Sequence, residues 1–287
     1  MEKKNTTLLS HLIYSFYERN RNNLIGKTMR SLKYNLNYFR KRRSLGTKED
    51  LKYIEPGRGP FDKTKRIAIE LSNICNYATL HKRCPLNQVK EYKILPEKIV
   101  YHVLETGKKY DFRGYIAFDI YNEPGIDPRL MMFIKKTREM LPKAKILLQT
   151  NGFYFDQTLA EEFEKNGVDI IRISAYTPEE GERLSKIKLK IPIIVTPIVL
   201  DNRLERYSLP EVECNKPCYA PLNELIITYE GRISLCCKEW RRQYTFGDLN
   251  KQSLEEVLKS KEIRQVYDRL SKGDRFLDVC RRCTESR

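Results

Sequence analysis

The sequence predicts an α/β protein whose parallel sheet curls into an open or partial barrel. Three observations carry this. Between residues 66 and 200, short apolar runs alternate with amphipathic stretches of helical period, the pattern of a parallel sheet with crossover helices. Only five such runs are present, too few for a closed eight-stranded barrel of the usual size. Polar residues collect where those runs end, around 70–76, 122–127, 150–152 and at Ser174, and ligands of parallel α/β sheets sit at the C-terminal strand ends.

The elements follow in order. RIAIELS, YIAFDIY, KILLQT, DIIRISAY and IPIIVTPIVL read as strands. PEKIVYHVLETGKK, PRLMMFIKKTREML, DQTLAEEFEKNG and TPEEGERLSKIK read as the helices between them. After Pro210 the alternation stops. ELIITY and RISLCC flank Glu230-Gly231 as a β-hairpin, and a single helix is expected over SLEEVLKSKEIRQVYDRLSKG before the closing Cys280-x-x-Cys283. Ahead of the barrel, residues 7–18 and 29–39 place apolar side chains on one helical face, and Arg40-Lys41-Arg42-Arg43 follows. Three units are expected: a basic amphipathic helical extension over 1–60, the barrel over 61–210 and a small α+β module over 211–287.

Of the 287 residues, 32% are charged and 40% apolar, enough for a core beneath a heavily solvated surface. No run approaches the roughly 18 apolar residues of a membrane span. The N-terminus lacks a small-residue cleavage site, so a cytoplasmic location is expected. The formal net charge is +16. Residues 1–48 hold twelve Lys and Arg against two Glu, a density that attracts phosphates or an anionic membrane surface and allows peripheral membrane contact. No finger, helix-turn-helix or aromatic RNA-binding signature specifies nucleic acid.

The chain has eight cysteines, which in a reducing compartment point to metal rather than disulfides. Cys75 and Cys84 stand in the first third; the other six follow residue 213. This reads as two metal sites.

Three strand-end segments carry a resemblance. Glu70-Leu71-Ser72-Asn73-Ile74-Cys75-Asn76 looks like the entry to the cluster loop of radical S-adenosylmethionine (SAM) enzymes. Asn122-Glu123-Pro124 resembles their Gly-Glu-Pro turn, and Thr150-Asn151-Gly152 their Thr-Asn-Gly. In order, and each on the expected strand, they resemble that superfamily over roughly residues 66–200. The resemblance implies a radical SAM partial barrel. It implies a 4Fe–4S cluster whose open iron binds SAM and reduces it to a 5′-deoxyadenosyl radical that takes hydrogen from substrate. Backbone around Asn122, Glu123 and Pro124 would bind the SAM amine, and Thr150, Asn151 and Ser174 would face the nucleoside.

The loop departs from the family's C-x3-C-x2-C. It reads Cys75-Asn-Tyr-Ala-Thr-Leu-His81-Lys-Arg-Cys84. The expected ligands are Cys75, His81 and Cys84, with Asn87 or a distant thiol such as Cys214 as alternatives to His81. Imidazole in place of thiolate raises a cluster's potential, which works against reductive SAM cleavage.

Cys218, Cys236, Cys280 and Cys283 resemble the short "twitch" form of the SPASM extension, with a Gly247-Asp248-Leu249 turn and a helix between. Four thiolates suit a second 4Fe–4S cluster and equally structural zinc. Cys237 could replace Cys236, and Cys214 has no assigned role. Trp240, Arg241 and Arg242 read either as a substrate entrance or as an exposed basic loop.

The expected function is hydrogen abstraction from a small polar or anionic substrate, oxidising or epimerising a sugar, cyclitol or similar molecule with an external electron donor. The alternatives are a peptide-modifying maturase and a non-catalytic iron–sulfur or zinc protein on the same scaffold.

Overall fold

The computed structural model describes residues 57–80, 84–197 and 208–283. The expected N-terminal helices, His81 and the end of the fifth strand segment lie outside these residues.

All five expected strands form: β1 (Arg66–Ile69), β2 (Tyr115–Ala117), β3 (Lys145–Thr150), β4 (Ile170–Ala175) and β5 (Ile193–Pro197). Between them run α1 (Glu97–Lys109), α2 (Leu130–Met140), α3 (Gln157–Lys165) and α4 (Pro178–Leu184). Parallel neighbours need such crossovers, because no tight turn can return the chain to the same edge. Local chemistry sets the helix starts. Asp156 caps α3 through Leu159 N, and Thr177 with Glu180 forms a reciprocal capping box on α4.

A short helix, α5 (Ala220–Asn223), leads into β6 (Glu224–Ile227), β7 (Arg232–Ser234) and β8 (Thr245–Asp248). These strands do not form a separate sheet. β6 pairs parallel with β1, and β7 and β8 follow antiparallel, in one eight-stranded sheet of order β5-β4-β3-β2-β1-β6-β7-β8. Gly247 and Asp248, expected in a turn, close β8. The long C-terminal helix is two: α6 (Leu254–Lys259) and α7 (Lys261–Ser271). Ser260 breaks it with ψ 147° and caps α7 through Ile263 N, since a serine hydroxyl satisfies a free helix N–H better at a cap than mid-helix. The last turn, α8 (Asp278–Arg281), carries Cys280.

Strand alternation gives the sheet two unlike faces. Ile67, Ile69, Ile116, Phe118, Ile146, Leu148, Ile171, Ile173, Leu225 and Ile227 lie in one continuous core with Val100, Leu104 and Phe133 of the helices. Each such side chain contributes roughly 1.5–3 kcal/mol on burial. The other face has a middle layer of Tyr115, Ala117, Leu147 and Ile170, a cluster separate from the main core. By alternation and register, Arg66, Glu70, Asp119, Gln149, Arg172, Ser174 and Glu224 share this second face. The helices cover the apolar face, so the polar one is left to function.

Candidate functional site

The site begins where β1 and β2 end. Arg66 opens β1 on the same sheet face as Ala68 and Ala117. It meets Asp119 through two bonds of 2.7 and 2.8 Å and also pairs with Glu224. Burial works against the Arg66 charge, but the two carboxylates outweigh it and hold its pKa above the ordinary value.

Glu70, four residues on, is fully buried. Its carboxylate accepts from Tyr121 N at 3.2 Å, Tyr229 N at 3.3 Å and Arg242 Nη2 at 2.7 Å. Burial pushes this carboxyl up, against the lowering pull of Arg242. Arg242 therefore lies in the interior, with its side chain 15% exposed, and not on an open basic loop. Its guanidinium sits 5.2 Å from the Tyr121 ring. Its backbone is held at φ 58°, a left-handed conformation costing a non-glycine residue roughly 1–2 kcal/mol.

The loop from Glu70 carries Cys75, Asn76 and Tyr77. Tyr77 is buried edge-on against Phe153 and Tyr176, and its hydroxyl meets Glu180. Cys75 and Cys84 join one small apolar cluster with Leu86, Tyr121 and Trp240. Burial first, then Glu123 and Cys84, pushes the Cys75 thiol up to about 11, against a bond from Tyr77 N. The two thiols thus lie within electrostatic reach of each other, while His81 falls outside the described residues.

Glu123 joins the three loops. Its backbone N–H donates to Ile74 O at 2.9 Å. Its carboxylate accepts from Thr150 Oγ1 (2.5 Å), Asn151 N (2.7 Å) and Gly125 N (3.0 Å). The carboxylate is thus spent on structure, and the Glu123 and Pro124 carbonyls already accept from Ile126 N at 3.2 Å and Asp127 N at 3.0 Å. Asn122 folds back on its own turn, bonded to Phe118 O and Ile120 N, and Pro124 opens a short 3-10 turn. Asn151 reaches Asn76 Oδ1 at 2.7 Å and Cys75 Sγ at 3.9 Å. Asn76 Nδ2 is buried without a hydrogen-bond partner, a donor beside Cys75 left for a bound group. Gly152 is required here: at φ 76°, a Cβ would lie 2.5 Å from Ile173. Ser174 is on the polar face of β4, opposite Thr196. A crevice of ≈ 190 Å³ opens beside the Glu123 turn, walled by residues such as Met131, Tyr154, Phe155 and Phe163, and touches no cysteine.

In the C-terminal region, Cys218 N donates to Leu270 O at 2.8 Å, and Cys280 and Cys283 bracket the end of α8. Burial, then Cys218, pushes Cys280 up to about 12, with Cys283 and Glu239 adding to the rise and Arg275 opposing it. Cys236 is raised well above its ordinary value by burial, then by Cys237 and Cys280. Cys218, Cys236 and Cys283 therefore all lie near the Cys280 thiol, with Cys218 and Cys280 buried and Cys236 and Cys283 half-buried. Cys237 acts on Arg66 as well as on Cys236, and Tyr121 Oη donates to its carbonyl at 2.6 Å. It lies toward the barrel. Cys214 is half-buried. Among the described residues, no three His, Cys, Asp or Glu side chains converge on a single-ion site.

Sequence reasoning missed Arg66, Asp119, Arg172 and Glu224, and it placed Glu70 at the strand end without its buried partner Arg242. Their signal was present: charged residues in the period-two register of otherwise apolar strands, within them or at their ends.

The fold and the two thiol groups define a class. Residues 218–284 match the SPASM family, the iron–sulfur cluster-binding domain. On an open sheet with cysteines beyond the β1 end, this resembles the architecture of radical SAM proteins with a SPASM-type C-terminal module. The chain is 21% identical over 233 residues to the S-adenosyl-L-methionine-dependent 2-deoxy-scyllo-inosamine dehydrogenase of Niallia circulans, covering 76% of this chain and 91% of the relative. Among solved structures it resembles BtrN in complex with AdoMet and 2-DOIA, with TM-score 0.67, 21% identity, and 77% and 93% of the two chains covered. The open conformation of BtrN matches with TM-score 0.62 at 19% identity over 77% and 92%. No helix among the described residues is long and apolar enough to cross a membrane.

Proposed function

We propose that this chain is a radical SAM dehydrogenase-like enzyme that oxidises a hydroxyl-bearing carbon of a small polar ring, such as a cyclitol or sugar. The observation that carries the reading is a polar sheet face between two thiol groups, Cys75 with Cys84 and the set Cys218, Cys236, Cys280 and Cys283. The curated relative, a dehydrogenase named for a cyclitol amine, supports the same class.

The residues fit the implied groups. Burial and neighbouring cysteines keep Cys236 and Cys280 as neutral thiols, and a cationic iron centre would favour the thiolates that ligate it. Cys75 and Cys84, with His81 as the proposed third ligand, would hold the first 4Fe–4S cluster. When bound, that cluster and SAM supply the radical that removes a hydrogen atom, and the second cluster accepts the electron that must follow. The chain's own residues do the rest. The carbonyls of Asn122, Glu123 and Pro124 would take the SAM amine through their remaining lone pairs, and Thr150, Asn151 and Ser174 would line the nucleoside side. Arg66, Asp119, Glu224 and Gln149 give the face its polarity. Arg66 and Arg242 are already matched by Asp119, Glu224 and Glu70, which favours a neutral or amine-bearing polyol over a phosphorylated sugar.

The test is anaerobic reconstitution with iron and sulfide, then reduction with dithionite in the presence of SAM and 2-deoxy-scyllo-inosamine. About eight irons per chain, 5′-deoxyadenosine and a ketone product are expected. Roughly four irons and no SAM cleavage would leave a non-catalytic cluster protein. Cleavage only with a peptide substrate would move the reading to a maturase.

A further inference from the structure

Two buried features outside the ligand sets connect them. Glu70 directly follows β1, five residues before Cys75, and Arg242 lies on the loop that leaves Cys236. Their 2.7 Å ion pair is buried, and each partner also holds Tyr121, Glu70 through the backbone N–H and Arg242 through the ring. Tyr121 stands one residue before Asn122 and binds the Cys237 carbonyl. Trp240, on the same loop as Arg242, packs into the cluster containing Cys75 and Cys84. One knot therefore touches the Cys75 loop, the Asn122–Pro124 turn and the Cys236 loop.

We propose that the Glu70–Arg242 pair is a positioning latch that fixes the Cys236–Arg242 loop against the two SAM-side loops, and so sets the path by which substrate passes its second electron to the C-terminal site. This rests on the function proposed above. A buried ion pair suits the role because its strength falls steeply with misalignment, so it specifies one arrangement where an apolar contact would tolerate several.

The apoprotein reads the latch without any cluster. Glu70→Gln and Arg242→Met should each raise hydrogen exchange over residues 236–243 and mass-mapped alkylation of Cys237 by about tenfold or more, with α2 and α3 unchanged. Arg242→Lys should fall between. In reconstituted protein, the single variants should release more 5′-deoxyadenosine per product at unchanged iron content, which a loss of general stability would not do. If a single variant loses iron, the doubly neutral Glu70→Gln/Arg242→Met should retain it and show the same uncoupling. Wild-type exchange and labelling in both single variants, or a looser loop with an unchanged product ratio, overturns the latch. A wild-type chain that never cleaves SAM removes the proposed reaction instead, and the apoprotein measurements then decide the latch by themselves.

Discussion

The two cysteine sites are built differently. In the C-terminal region, Cys218 is tied to the end of α7, Cys236 follows β7, and Cys280 sits on α8, so regular elements position the thiols. Cys75 and Cys84 stand on a long irregular loop held from outside: by Glu123 N on Ile74 O, by Asn151, and by the Tyr77 aromatic contacts. A site carried by secondary structure keeps its geometry before metal arrives. A site carried by a loop depends on neighbouring loops and on its ligand, since loops open at lower free energy than packed elements.

Removing thiols should break this comparison most visibly. Cys280→Ala is expected to lose roughly four irons per chain and to lower the melting temperature. Cys75→Ala should lose as many with a smaller thermal effect; equal thermal effects would show that the loop site also supports the fold. His81 sharpens the same contrast. If it is a ligand, His81→Cys should lower the potential of the first cluster and change its electron paramagnetic spectrum. An unchanged spectrum and potential would remove it from the ligand set.

Backbone changes come next. Gly273 has φ 89°, and a Cβ there would lie 2.1 Å from Asn215 O on the segment leading to Cys218. Gly273→Ala should cost about 3 kcal/mol in denaturant unfolding, and a shift under 1 kcal/mol would mean the segment simply moves aside. On the barrel side, Glu123→Gln places an amide NH₂ among three donors and should cost roughly 2 kcal/mol. The loss of SAM binding should exceed that of iron.

The smallest effect is a pH dependence between the regions. Bonds from Lys109 first, then Lys259, hold Glu255 near pKa 2, below the ordinary 4.5. This link between α1 and α6 is present above the ordinary carboxylate range and lost as pH falls toward about 2. In apoprotein, the melting temperatures of wild type and Glu255→Gln should differ near neutral pH and converge on acidification. A gap that persists into acid would deny the link.

Much of the barrel was legible because each strand and helix repeats its own period and ends on recognisable caps. The helix break at Ser260 was not, since its residues continue a helical pattern and only the observed ψ reveals the cap. The buried position of Arg242 was equally hidden. Its partner Glu70 lies 172 residues away, and nothing local distinguishes it from the exposed Arg241.

By itself, the sequence determined the order of strands and helices, the strand-end polar motifs and the inventory of thiols, because these depend on local periodicity and residue type. Only the tertiary structure decided that the C-terminal hairpin extends the barrel's sheet, that Arg242 is drawn inside onto Glu70, and that one sheet face is a paired polar surface. Each depends on which strands become neighbours and which face the helices cover, and contacts of that kind carry no local signal in the chain.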